Sequence, residues 1–185
     1  MDLYDYCERE DIKINLACEV GFYSLKDSQV QGFIYAGVKC IVVDILQSNV
    51  GARYKNIEWH RVGIGFTAGA GRFRWNGAST HLVGIQSPSI QNNSQKPQYK
   101  GVIKHKVVTF DTIDPGNIDL LCIDIEGLEY AVLKKMVSRP KVIAIEMKWR
   151  KYKNPYFKNI RAWMRYHGYK FVAVNLSDEI YRRTA

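Results

Sequence analysis

A short apolar run that ends in paired carboxylates constrains this chain more than any other feature. Leu120, Leu121, Cys122 and Ile123 are apolar at every position, as a strand buried on both faces must be. The run passes directly into Asp124-Ile125-Glu126-Gly127, and apolar periodicity predicts a helix over 128–137. A strand, an acidic turn and a helix form the unit from which parallel sheets with crossover helices are built. Ligands of such sheets bind outside the carboxyl ends of the strands. Asp124 and Glu126 stand at that position and are candidate catalytic carboxylates.

The rest of the chain alternates in the same way. Strands are expected over 12–20, 40–45, 57–62, 118–123 and 142–147, with a short strand or its approach over 107–110. Helices are expected over 28–36 and 155–167, each followed by glycine (Gly37 and Gly168), and 46–54 is a weaker helix candidate. Phe157, Ile160, Trp163 and Met164 share one face of the later helix, which reads as a core face. Residues 169–174 and 179–182 read as a closing antiparallel pair. The expected architecture is α/β and Rossmann-like. A mostly parallel sheet carries helices on both faces and a C-terminal antiparallel hairpin, in a single domain over 1–185. Gly63, Gly65, Gly69, Gly71 and Gly77 suit hairpins and tight turns. Residues 86–100 form a long polar loop, either a lid over substrate or an excursion without a role.

With 185 residues, 46% of them hydrophobic, the chain can bury a real core. A formal charge of +9 favours anionic partners, nucleic acid among them. Cys18, Cys40 and Cys122 lie in or beside apolar strands, where a thiol acts as a small hydrophobe, and no metal-type Cys/His spacing occurs. No apolar run reaches the roughly 18 residues of a membrane span, and no signal peptide is visible. A reduced, cytoplasmic protein is the expectation.

Two further strand ends form a pair. The first strand runs into Glu19-Val20-Gly21, and the second ends at Asp44 with Ile45 beside it. In nucleotide-binding α/β folds a glycine turn admits the ligand and an acid on the second strand accepts hydrogen bonds from ribose hydroxyls. Gly21 and Asp44 are 23 positions apart, close to the ~20 of such units. Phe22, Tyr23 and Ser24 follow Gly21, so a glycine cradle for pyrophosphate is missing and a dinucleotide is disfavoured. A ligand with ribose and adenine but no phosphate fits better, and S-adenosylmethionine is the common one, its amino group suited to Glu19. The alternative is that Glu19 and Asp44 are ordinary solvent-facing strand ends.

Taken together, these segments resemble the FkbM family of S-adenosylmethionine-dependent methyltransferases. That family carries a D-x-E-G-x-E signature at a strand end, matched by Asp124-Ile125-Glu126-Gly127-Leu128-Glu129. An upstream block is matched by Val108-Thr109-Phe110-Asp111, and a downstream strand ending in glutamate by Val142-Ile143-Ala144-Ile145-Glu146. The similarity runs from about Ala17 to the C-terminus. Cys122 replaces the family's usual lysine, and Asp44-Ile45 its usual Glu-Pro. The resemblance implies a cofactor site formed by Glu19, Gly21, Asp44, Ile45, Gly63 and Asp124. It also implies a sugar or small-metabolite hydroxyl as acceptor.

Methyl transfer from a sulfonium is an in-line displacement that needs alignment and, for a hydroxyl acceptor, removal of a proton. Asp124 is placed to act as base or metal ligand, although a divalent metal is not otherwise indicated. Glu126 either takes part or holds the turn. Glu129, in the first helical turn, is explained by the helix dipole alone. Glu146 ends a strand and could line the same crevice. His81, after a Ser/Thr-containing turn, is a further candidate base, whereas His60, His105 and His167 read as structural or solvated. Lys148 to Lys153, interleaved with Trp149 and Tyr152, suit a sugar or a nucleic-acid strand. Two alternatives stand beside the main reading: an RNA ribose 2′-O-methyltransferase, and a cofactor- or nucleic-acid-binding module without catalysis.

Overall fold

The computed structural model describes residues 2–46, 53–75, 80–85 and 101–184. The expected loop over 86–100 and most of the candidate helix over 46–54 lie outside the described residues. The chain opens with a helix that the polar N-terminus did not suggest, α1 (Leu3–Arg9). The Asp2 carboxylate accepts the amides of Tyr4 and Asp5 and caps it. Leu3, Tyr6 and Cys7 are its buried stripe.

Then follow β1 (Leu16–Val20), α2 (Gln31–Tyr35), β2 (Lys39–Val43) and β3 (Ile57–His60). A second group comprises β4 (Gly63–Ile64), β5 (Gly69–Trp75), β6 (His81–Leu82) and β7 (Gly101–Val108). After it come β8 (Leu120–Ile123), α3 (Glu129–Lys135), β9 (Val142–Glu146), β10 (Lys148–Trp149), β11 (Tyr152–Lys153), α4 (Phe157–Tyr166), β12 (Tyr169–Asn175) and β13 (Asp178–Arg183).

Seven strands form the main sheet, in the order β12-β13-β9-β8-β1-β2-β3. The five from β9 to β3 are parallel, and β13 and β12 close the other edge as an antiparallel hairpin. The central strands β1, β8 and β9 are buried at every residue. The alternation of their side chains divides the core into two layers. On one face Ala17, Cys40, Val42, Leu120 and Cys122 pack against α1 and α2. On the other, Cys18, Val20, Ile41, Leu121 and Ile123 pack against Val132 and Leu133 of α3 and Ile160 and Met164 of α4. Phe157 and Trp163 pack at the edge of that layer, so the stripe on α4 is core. All four cysteines are free and buried.

The glycine-rich segment pairs antiparallel, as hairpins require, in β5 and β6. It builds a separate four-stranded sheet, β4-β7-β5-β6, in which only the β4·β7 pair is parallel. Gly71 lies inside β5, where an added Cβ would meet Val107 at 2.6 Å and Phe73 at 2.8 Å. Its glycine is a packing requirement that a turn-based reading of glycine misses. Ile64 and Val108 of this sheet join the main core, which places the small sheet over the ends of β2 and β8.

Candidate functional site

The main sheet reverses its order between β1 and β8. From β1 the chain builds outward through β2 to β3, whereas β8 builds toward β9. Crevices form at such a reversal, outside the carboxyl ends of the strands. A cleft lies there, lined among others by Gly21, Asp44, Ile45, Gly63, His81, Asp124 and Glu126. Those seven expected site residues, scattered over the sequence, therefore share one cleft. Its apolar wall is Val43, Val62, Ile64 and Phe73. The enclosed volume is about 50 Å³, below the ~300 Å³ at which ligand pockets begin. Over Leu82 and Leu128 the cleft meets a wider groove of about 500 Å³ along 65–72, which Phe66 and Tyr156 also line. Phe66, Tyr130 and Tyr156 form one ring cluster, with Tyr130 and Tyr156 stacked at 5.5 Å.

Glu19 is the expected residue that does not line this cleft. Alternation along β1 turns it to the α2 face, where its carboxylate accepts the Ser28 hydroxyl and, at 3.1 Å, the Gln29 amide. Burial pushes its pKa up to about 7, against the pull of these hydrogen bonds. Ser28 and Gln29 border a second hollow that also touches Asp124.

Gly21 differs from the expectation in its reason. Its φ is +101°, and an added Cβ would lie 1.7 Å from the Asp124 carbonyl oxygen. The glycine lets β1 and the β8 turn approach each other, so protein rather than ligand occupies the space a side chain would need. Asp44 lies at the end of β2, with Oδ1 accepting the Leu46 amide at 2.6 Å. Burial raises its pKa to about 7.

The turn after β8 is held in an unusual shape. Glu126 has φ +59° and Gly127 φ +104°. A non-glycine residue in the left-handed region costs ~1–3 kcal/mol, and such residues persist where their surroundings over-determine them. Glu129 supplies that determination. Its Oε1 accepts the amides of Ile125 at 3.1 Å and Gly127 at 2.9 Å, and its Oε2 accepts the Asn154 side-chain amide. Asn154 is itself fixed, donating to the Glu146 carbonyl at 3.2 Å and accepting the Tyr156 amide at 2.9 Å. Glu129 is fully buried, so the helix dipole alone does not account for it. The residue that the dipole was expected to explain is the clamp of the acidic turn.

Asp124, Glu129 and Glu146 each bring a carboxylate oxygen within 4.8 Å of the other two. Asp124 is exposed at the cleft, but the protein packed round its carboxyl group and then the Glu129 charge raise its pKa; burial and then the Asp124 charge raise that of Glu146. Asp124 keeps an exposed edge that water reaches, whereas Glu146 is 5% exposed. Glu146 is therefore the member of the pair held neutral when no counter-charge is present. Tyr152, which the sequence placed in a basic surface stretch, is fully buried. Asn154 and Tyr152 carried no signal in the sequence beyond following a strand that ends in glutamate.

A family model described as the methyltransferase FkbM domain matches residues 11–171. The chain belongs to the FkbM methyltransferase family. No curated protein matches the chain. The FkbM match spans every strand of the parallel sheet and both sides of the cleft, and it supports a methyltransferase. Among the described residues no helix is long and apolar enough to cross a membrane.

Proposed function

We propose that this FkbM protein is a Rossmann-like, S-adenosylmethionine-dependent O-methyltransferase acting on a hydroxyl of a sugar or small metabolite. The observation that carries the reading is the meeting of Asp44 and Asp124 in one cleft at the sheet reversal. The strand order, with its reversal between β1 and β8, supports the Rossmann-like fold.

The residues fit the nucleoside half of the cofactor. Asp44 would accept the ribose hydroxyls, and Val62, Ile64 and Phe73 would flank the adenine, with the Phe73 ring packed on Gly63, where an added Cβ would meet it at 2.5 Å. The small enclosed volume means that a flanking side chain such as Phe73 or His81 must shift as the ligand enters. Glu19 remains tied to Ser28 and Gln29, so the amino-acid half would meet Asp124 rather than Glu19. When bound, the cofactor supplies an electrophilic methyl. Asp124, exposed at the mouth and raised in pKa, is placed to take the proton of an acceptor hydroxyl. The turn locked by Glu129 fixes where that carboxylate points. Phe66 and Tyr156 give the adjoining groove the aromatic faces on which a sugar ring packs.

One observation favours RNA as the acceptor instead. Arg72 lines the groove and lies directly opposite Lys104 in the small sheet. Like charges placed opposite are unfavourable unless an anion joins them. Transfer of a labelled methyl group from S-adenosylmethionine separates the two. Label on a glycan hydroxyl supports the first reading and label on RNA ribose the second. In either case Asp124→Asn should abolish transfer.

A further inference from the structure

We propose that Asp124, Glu129 and Glu146 hold one divalent, oxygen-preferring cation of the magnesium, manganese or calcium class. The three acids arrive from three elements: the end of β8, the start of α3 and the end of β9. Their oxygens lie within 4.8 Å of one another. Oxygens at ~2.0–2.6 Å from such an ion span about 4–5 Å across it, so the cluster has the dimensions of a coordination shell. The chemistry of the set, carboxylates without thiolate or imidazole, selects hard cations over zinc or copper.

Two buried atoms point to a ligand independently of the acids' proximity. Glu146 is only 5% exposed, and among the described residues its Oε2 has no hydrogen-bond partner. Tyr152 is fully buried, and its hydroxyl is likewise without a partner among the described residues. Tyr152 precedes Asn154 by two residues, and the Asn154 side chain donates to both the Glu129 carboxylate and the Glu146 carbonyl, which brings this strand to the same cluster. Unpaired polar atoms this deeply buried are rare and call for an ion or an ordered water. A cation between the acids would engage Glu146 Oε2, and a water on that cation would donate to the Tyr152 hydroxyl oxygen. It also offsets the mutual repulsion of carboxylates held this close together.

Glu129 can give the ion only limited coordination, because its Oε1 is committed to the Ile125 and Gly127 amides. The exposed edge of Asp124 is the way in from the cleft. A role in methyl transfer rests on the reading proposed above: a bound dication at the mouth lowers the pKa of an acceptor hydroxyl. The site itself does not depend on that reading.

Manganese is the probe, titrated into the full chain without cofactor and counted by electron paramagnetic resonance. The expected result is one Mn²⁺ per chain, displaced by Mg²⁺ or Ca²⁺. Affinity should fall by more than about a hundredfold in Glu146→Gln, beyond what loss of a supporting contact produces. Glu58→Gln, a surface acid bonded to His60, should bind as the parent does. Should Glu146→Gln fail to fold, the parent decides alone, and its Tm must rise with Mn²⁺ and fall back with EDTA. Absence of stoichiometric Mn²⁺, or unchanged binding in a folded Glu146→Gln, overturns the site. So does a Tm of Glu146→Gln that exceeds the parent's with or without metal, because the acids then share protons instead. S-adenosylhomocysteine calorimetry in EDTA keeps the two proposals apart. Cofactor binding without Mn²⁺ binding removes only the cation, and Mn²⁺ binding without cofactor binding removes only the methyltransferase reading.

Discussion

Gly21 and Glu129 show how single residues set the cleft. At Gly21 a methyl group would enter the space of the Asp124 carbonyl and would also impose a left-handed φ on an L-residue. Gly21→Ala should cost about 2–4 kcal/mol in urea unfolding, from overpacking and backbone strain together. Glu129→Gln makes a sharper test of the clamp. The new amide oxygen can still accept the Ile125 and Gly127 amides, but its NH2 then faces the NH2 of Asn154. Asn154 cannot turn over, because its carbonyl already accepts the Tyr156 amide. A donor facing a donor in a buried site costs ~1–3 kcal/mol, so the variant should unfold earlier in urea than the parent. The glycine at 21 and the acid at 129 were both legible in the sequence as residue types. Their partners were not, because Asp124 and Asn154 are brought to them by tertiary packing and not by spacing.

At the scale of elements, the parallel strands were the most legible part. β8 is apolar throughout, and β1 and β9 are apolar but for Glu19 and Glu146, because helices cover both of their faces. The hairpin of β12 and β13 and the core stripe of α4 also follow from periodicity. The small sheet was not legible. In β5 the buried positions are Gly71 and Phe73, and a glycine that serves packing carries no alternating hydrophobic signal. α1 was hidden for a different reason: its apolar residues Leu3, Tyr6 and Cys7 sit among acids, and its start depends on one capping carboxylate. Asp2→Ala should therefore lower stability by about 1 kcal/mol, measured by chemical unfolding, through loss of the cap to Tyr4 and Asp5.

Over the whole molecule, buried carboxylates give stability a definite pH dependence. Glu19 and Asp44 both have folded-state pKa values raised to about 7, above the ~4 expected of an unfolded chain. Between those values the folded state binds more protons than the unfolded state, so stability falls as pH rises. Their contribution is fully present below about pH 4 and is lost as pH climbs through about 7. Thermal unfolding in EDTA should accordingly give a higher Tm at pH 5 than at pH 8, and a flat or rising profile would contradict the burial described for these acids. Isothermal calorimetry with S-adenosylhomocysteine measures what Asp44 contributes to the cofactor site. One site per chain is expected, with affinity lowered about tenfold or more in Asp44→Ala, the loss of charge-assisted hydrogen bonds worth ~1.5–3 kcal/mol. No binding to the parent, or equal affinity in a folded Asp44→Ala, would contradict this expectation.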